Sequence, residues 1–475
     1  MEGGGSRPQF VRAITRLDAT AIVVGSMIGS GVFIVAADMI RTVHYTGVFL
    51  LVWLASGLIT LLGAVTYGEL AGMYPRAGGQ YIYLKEGISP LFGYLYGWTL
   101  FLVIQTGTIA AVAVAFARFT AVLFPGISAE VFFGTTIDFP APIGAVEVGL
   151  SGQRILAILT VALLTWINMR GVTTAAFIQT SLTIIKTSAL IALILLGLTI
   201  GLNADAIAAN FSTRFWPEDG LDLAILSAMG AAMVGSLFSM DAWNNVGFAS
   251  GELRNPEKDV PFAMAAGVLV VTILYLLANT AYLAVLPADA IAGAPQDRVG
   301  TAALEAMFGE AGLYIMAVAI MISTFGCANG LILAGARVYY AMAQDGLFFR
   351  PLGELHATRC TPVAALVLQG IWISVLCLSG TYSQLLDFVI FSSVLFYMMA
   401  AVGIFFLRRR KPDLPRPVRA PGYPWLPALY VLLTGAICVN LLFTRTTYSS
   451  LGLLIVLLGV PVYFIWRAVS KTAPS

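Results

Sequence analysis

Gly25-Ser26-Met27-Ile28-Gly29-Ser30-Gly31 puts three glycines into seven residues in the middle of an apolar run that begins near Ala19. Each glycine weakens a helix by about 1 kcal/mol relative to alanine, so a helix through this run opens here first. The competing reading is a face of small residues that lets two helices approach closely. A second stretch, Gly235-Ser236-Leu237-Phe238-Ser239-Met240-Asp241-Ala242-Trp243-Asn244-Asn245, sets a carboxylate, two amides and an indole in another apolar run. A charge near the centre of a bilayer costs at least about 2.5 kcal/mol, which requires Asp241 to face a cavity or a partner. Interrupted apolar segments at corresponding places in two halves of a chain point to a binding site at the bilayer midplane. Here the interruptions fall in the first and sixth apolar segments, the pattern of a 5+5 inverted repeat.

The surrounding chain has 475 residues, 59% hydrophobic and 11% charged, with a mean hydropathy of +0.89. Soluble domains carry about 25% charged residues, so the solvent for this much apolar surface is lipid. About 20 apolar residues cross a bilayer as a helix. That length places spans at about 18–42, 47–73, 88–122, 152–169, 174–201 and 221–250, then at about 260–286, 311–343, 361–379, 383–407, 424–444 and 448–468. The expected fold is an all-α integral membrane protein of about twelve transmembrane helices. Its parts are an N-terminal segment over 1–17, five-helix repeats over 18–201 and 202–407, and a basic, proline-rich loop over 408–423. Two further helices over 424–468 and a tail over 469–475 complete it. The first apolar run has no small-residue cleavage site after it and reads as a retained span, not a signal peptide.

Of the 26 lysines and arginines, nineteen fall in segments on the side of the N-terminus. Five, Arg41, Arg154, Arg214, Arg298 and Arg445, fall on the opposite side, and Arg118 and Lys186 lie within spans. Cytoplasmic connections retain positive charge, so both termini are expected in the cytoplasm of a multi-pass cell-membrane protein. The run from Arg408 to Lys411 is its strongest anchor and is placed to meet anionic lipid. A net charge of +2 excludes a broad footprint for nucleic acid.

Cys327, Cys360, Cys377 and Cys438 show no pair at metal-ligand spacing, and the Gly-rich loop with Lys and Ser or Thr that binds nucleotide phosphates is absent. No metal and no cofactor are expected. An intramembrane enzyme would need paired carboxylates or a histidine cluster within the spans, yet His44 and His356 both fall near connections. A channel would need a continuous polar lining, whereas the polar residues here gather at two breaks. Transport without covalent chemistry is the reading that remains.

An opened helix supplies two kinds of site. Free N–H groups at the start of a half-helix bind a carboxylate, and the C=O groups that end the preceding half attract an ammonium. A zwitterionic α-amino acid has both groups. The amides of Gly29, Ser30 and Gly31, with the Ser30 hydroxyl, are the candidate carboxylate site; the carbonyls of Met27, Ile28, Phe238 and Met240 are the candidate amine site. Asp241 and Trp243 complete the candidate substrate-binding set. Phe238 either covers the substrate or packs. Lys186, in Thr183-Ile184-Ile185-Lys186-Thr187-Ser188, is the one lysine deep in a span. It reads as a fixed or titrating cation where related folds place a sodium ion, or as a snorkelling side chain. Ser323 and Thr324 are suitable hydroxyl partners for it. Glu69 is expected in a structural interface, and Arg118 is expected to snorkel.

These residues resemble the amino acid-polyamine-organocation superfamily, and within it the L-type amino acid transporter branch and its prokaryotic relatives. Gly25–Phe33 (GSMIGSGVF) resembles the first-helix motif, and Tyr67–Glu86 (YGELAGMYPRAGGQYIYLKE) the second-helix and loop signature. Phe238–Pro261 (FSMDAWNNVGFASGELRNPEKDVP) is similar to the sixth helix and its following loop, and Thr324–Gly346 and Thr361-Pro362 continue the likeness. The resemblance runs from Arg12 to about Arg467. It implies a LeuT-type fold and sodium-independent transport of L-amino acids, commonly by exchange. It also carries Lys186 over to a fifth-helix lysine that links the opened first helix near Gly25 to Ser323, as a coupling set with Thr324. The sixth-helix break departs from the family's usual aromatic and small residues with Ser239-Met240-Asp241-Ala242. The outer loop over 123–151 has no cysteine, so a disulfide to a heavy chain of the animal type is not expected. Proton-coupled symport, with Lys186 as the titrating group, is the alternative coupling.

Overall fold

The computed structural model describes residues 10–139, 144–212, 214–378 and 382–472. Residues 1–9 of the expected N-terminal segment, Arg7 among them, and residues 473–475 of the tail lie outside that set. Among the described residues, ten helices are long and apolar enough to cross a bilayer. Two shorter apolar helices, Leu223–Ser239 with 17 residues and Val363–Cys377 with 15, stand where the sixth and ninth spans were predicted. The sixth stops because Asp241, Asn244 and Asn245 cannot continue a lipid-facing helix. Its chain instead turns through short 3-10 segments at Asn245–Gly247 and Ser250–Glu252. The predicted half-helix reaching residue 250 is therefore not α-helical. The ninth starts late because Pro362, at its N-cap, disfavours helix in the residue before it.

The first span is built in three pieces, Arg16–Met27, Gly31–Ile34 and Ala36–Val43. It opens with a reciprocal cap, in which the Asp18 amide donates to the Thr15 hydroxyl at 3.3 Å and the Thr15 amide to the Asp18 carboxylate at 3.1 Å. The second and third spans are Thr46–Met73 and Pro90–Leu123, the fourth and fifth Gly152–Met169 and Val172–Gly197. After the sixth come Pro256–Val285, Glu310–Gln344, the short ninth, Tyr382–Arg410, Trp425–Thr444 and Thr446–Thr472. The outer connection after the third span holds strands Val131–Phe139 and Gly144–Ser151, paired antiparallel with Thr135 opposite Val148. The strands stand where a loop is expected from sequence, and their β-branched and aromatic residues suit a pleated surface.

At the end of the bundle where the chain begins, carboxylates tie distant spans together. Glu69 lies 2.6 Å from Arg408 and 3.3 Å from Arg416, and it accepts the Ala420 amide at 2.7 Å. Arg337 meets Glu252 at 2.9 Å, with both side chains 1% exposed. Ile14 bridges Leu253, and its carbonyl accepts the Arg254 amide at 3.1 Å. Glu69 thus carries the interface role expected of it, and the Ile14 contacts join the chain just before the first span to the segment that follows the sixth.

Candidate functional site

In a continuous helix the Gly29 amide would bond to the Gly25 carbonyl; here it turns back to Met27 at 2.8 Å, and the last regular bond is Ile28 to Val24 at 2.9 Å. The carbonyls of Gly25 and Gly29 lose their helical donors, and buried backbone acceptors need replacements. Lys186, 1% exposed, donates to Gly25 and, at 2.7 Å, to Ile28, with the Ser323 carbonyl at 3.4 Å. The Ser323 hydroxyl lies 3.1 Å from both Ile28 and Gly29 carbonyls, and the Cys327 thiol 3.0 Å from that of Ser26. Tyr275, from the seventh span, sets its hydroxyl 2.8 Å from the Met27 carbonyl and 3.1 Å from that of Ser239. One phenol is thus shared between the broken ends of the first and sixth spans.

In the sixth span the Met240 amide still bonds to Ser236 at 3.0 Å, after which Asp241 turns to Phe238 at 3.1 Å. Ala242 takes φ of 66°, a left-handed conformation that costs a residue with a side chain about 1–2 kcal/mol. The Asp241 carboxylate, 7% exposed, accepts the Tyr397 hydroxyl. Asn244 donates to Gln80 at 2.5 Å, and Trp243 meets Tyr67 edge-on with ring centres 4.8 Å apart. The two breaks touch at Gly31, where a Cβ would fall 2.9 Å from the Ser239 Cα. Only glycine permits that approach. Gly25 lies within the helix Arg16–Met27, and a Cβ there would meet the Thr183 hydroxyl at 2.1 Å. The glycine-rich run therefore both opens the helix and forms close contacts; the two sequence readings are compatible.

Between the breaks lies a narrow cleft with a cavity volume of about 10 Å³, about enough for one water. Ser26, Met27, Gly29, Ser30 and Gly31 form one wall, Phe238, Ser239, Asp241 and Ala242 the other, closed by Thr108, Val112 and Cys327. A second small cavity of about 20 Å³ adjoins it, lined by Met240, Asp241, Trp243, Thr60, Ser393 and Tyr397 among others. Asp241 is common to both.

The structure thus brings Met27, Gly29, Ser30, Gly31, Phe238 and Asp241 to one cleft, and sends Met240 and Trp243 to its neighbour. Ile28 lines neither cavity, because Lys186 and Ser323 occupy its carbonyl; that of Met27 is engaged by Tyr275 and the Gly29 amide. Met27 and Ile28 are therefore poor amine acceptors in this conformation. Lys186 reaches the backbone carbonyl of Ser323, not its hydroxyl. Thr324 bonds to Ile320 and Met321 of its own helix at 2.8 and 3.0 Å and does not join Lys186. Sequence reading missed Tyr275, Cys327 and Tyr397. Each is a single polar atom in an apolar helix, indistinguishable there from a side chain that fills space.

A family model described as amino acid permease matches residues 14–462. The large neutral amino acids transporter small subunit 2 of Homo sapiens is 31% identical over 466 residues, covering 97% of this chain and 82% of the relative. The serine/threonine exchanger SteT of Bacillus subtilis is 32% identical over 457 residues, covering 95% and 96%. The b(0,+)-type amino acid transporter 1 of Mus musculus is 27% identical over 455 residues, covering 95% and 87%. With helices that cross a membrane repeatedly and a match to the family model over nearly its whole length, the chain belongs to the amino acid permease family, whose members are transporters and not enzymes.

Proposed function

We propose that this protein is a sodium-independent L-amino acid exchanger that works by alternating access around the cleft between the two broken spans. The observation that carries the reading is that cleft, bounded by Gly29, Ser30 and Gly31 on one side and Phe238 and Asp241 on the other. The substrate carboxylate is assigned to the amides that start the helix at Gly31. With the carbonyls of Met27 and Ile28 occupied, the ammonium is assigned to the wall contributed by Phe238 and Asp241. Lys186, held by three carbonyls, acts as a built-in cation and takes the place of a sodium ion. The names of the relatives, which include an exchanger and transporters of amino acids, support this reading.

The accompanying architecture is a LeuT-type 5+5 repeat, with spans one to five and six to ten as the two units and spans eleven and twelve added. The lysine and arginine asymmetry supports a cell-membrane location with both termini cytoplasmic. The cysteine-free outer connection supports action without a disulfide-linked second chain.

Proteoliposomes loaded with unlabelled amino acid test the coupling. Exchange predicts that internal substrate speeds uptake of labelled substrate severalfold, whereas uptake into empty vesicles driven by a proton gradient alone would replace exchange with symport. Symport has one observation in its favour: among the described residues Lys186 donates to backbone carbonyls and forms no ion pair, so no carboxylate there fixes its charge.

A further inference from the structure

We propose that an anionic phospholipid occupies a groove on the membrane-facing side of the fourth and ninth spans. The groove has a volume of about 450 Å³ and runs from Met169 and Trp166, at the end of the fourth span, toward Ile158 and Leu378. Its floor is shallow at Gly370, where a Cβ would meet the Thr165 hydroxyl at 2.8 Å. Two guanidiniums stand at one end only. Arg170 lies over the Trp166 ring, 4.1 Å from its centre, and Arg359 donates to the Met169 carbonyl at 3.3 Å. Both are exposed, and neither pairs with a carboxylate among the described residues. On the proposed orientation this end faces the cytoplasmic leaflet, where anionic headgroups attract basic residues.

A phosphate on Arg170 and Arg359 leaves an acyl chain to continue along the apolar part of the groove, past Ile371 and Val375 toward Ile158 and Leu378. A sterol matches the apolar groove but leaves the two arginines unanswered.

The test uses the full chain in nanodiscs of phosphatidylcholine doped with acyl-brominated lipid, and reads the fluorescence that Trp166→Phe removes. Brominated phosphatidylglycerol should quench that component more effectively than brominated phosphatidylcholine, with a preference of about fivefold for each arginine that contributes. The preference should vanish in Arg170→Gln/Arg359→Gln, and in the unmodified protein it should weaken as salt is raised. Equal quenching by the two headgroups, a preference indifferent to both the double variant and salt, or a Trp166 shielded from both lipids by a second copy or another helix would each overturn the proposal.

Discussion

The ammonium of Lys186 lies 2.7 Å from the carbonyl oxygen of Ile28, the residue at which the first span ceases to be helical. A side chain from the fifth span thus replaces a backbone donor that the break removed, and the shape of the binding region depends on that replacement.

Replacing Lys186 with alanine should leave the carbonyls of Gly25 and Ile28 without their charged donor. Ile28 keeps the Ser323 hydroxyl, whereas a Gly25 carbonyl left unpaired costs about 1–3 kcal/mol, and each 1.4 kcal/mol is about tenfold in an equilibrium. We predict that Lys186→Ala inserts in the membrane but transports at least about tenfold more slowly in proteoliposomes. Turnover equal to that of the unmodified protein would remove Lys186 from the mechanism.

Gly31→Ala tests the contact between the breaks. The added Cβ would sit 2.9 Å from the Ser239 Cα, and overfilling a close contact costs about 1–3 kcal/mol. Substrate affinity, measured by equilibrium binding to purified protein, should fall by about tenfold or more. Ser30→Leu and Gly29→Val, which intrude on the assigned carboxylate site, should abolish measurable binding. Unchanged affinity in all three would mean that substrate binds elsewhere.

Tyr275→Phe removes the hydroxyl shared by the carbonyls of Met27 and Ser239. Loss of this donor should destabilise the protein by about 1–3 kcal/mol and lower its melting temperature in detergent. Because the phenol joins the two breaks, the exchange rate should fall as well. A variant that melts and exchanges like the parent would show that the bridge is dispensable.

The left-handed backbone at Ala242 gives a prediction of opposite sign. Ala242→Gly should relieve about 1 kcal/mol of strain and raise thermal stability, while Ala242→Val should lower it. A fall in melting temperature with glycine would contradict the conformation described.

For the Glu252 and Arg337 pair, both 1% exposed, Arg337→Leu should cost about 3–5 kcal/mol by stranding a buried carboxylate. Adding Glu252→Gln should recover part of that loss, read as detergent melting curves of the single and double variants. If the double variant were no more stable than the single, the damage would lie outside the ion pair.

How much the sequence reveals depends on how each residue acts. Gly25 to Gly31 announces a weak point because glycine changes the backbone itself, and Asp241 announces a cavity because a carboxylate in lipid is costly. The neighbours of Asp241 are less readable. Beyond Ser239 the helical period ends, so spacing no longer indicates that Trp243 and Met240 face the second cavity. Ser323 and Thr324 differ by one step of helical rotation, about 100°, and only the orientation of the eighth span decides which reaches Ile28. Tyr275, in Leu274-Tyr275-Leu276-Leu277, carries no local signal, because its role arises from two carbonyls contributed by other spans. The paired outer strands went unread for a different reason: a short alternation between polar turns resembles a loop when the rest of the chain is helical.

If a small zwitterion is gripped between the two breaks, an experimental structure with a transported amino acid bound will show density in the cleft, with the carboxylate against the amides that start the helix at Gly31 and the ammonium toward Phe238 and Asp241. Density elsewhere, or first and sixth helices that run unbroken through Gly29 and Asp241, would refute this.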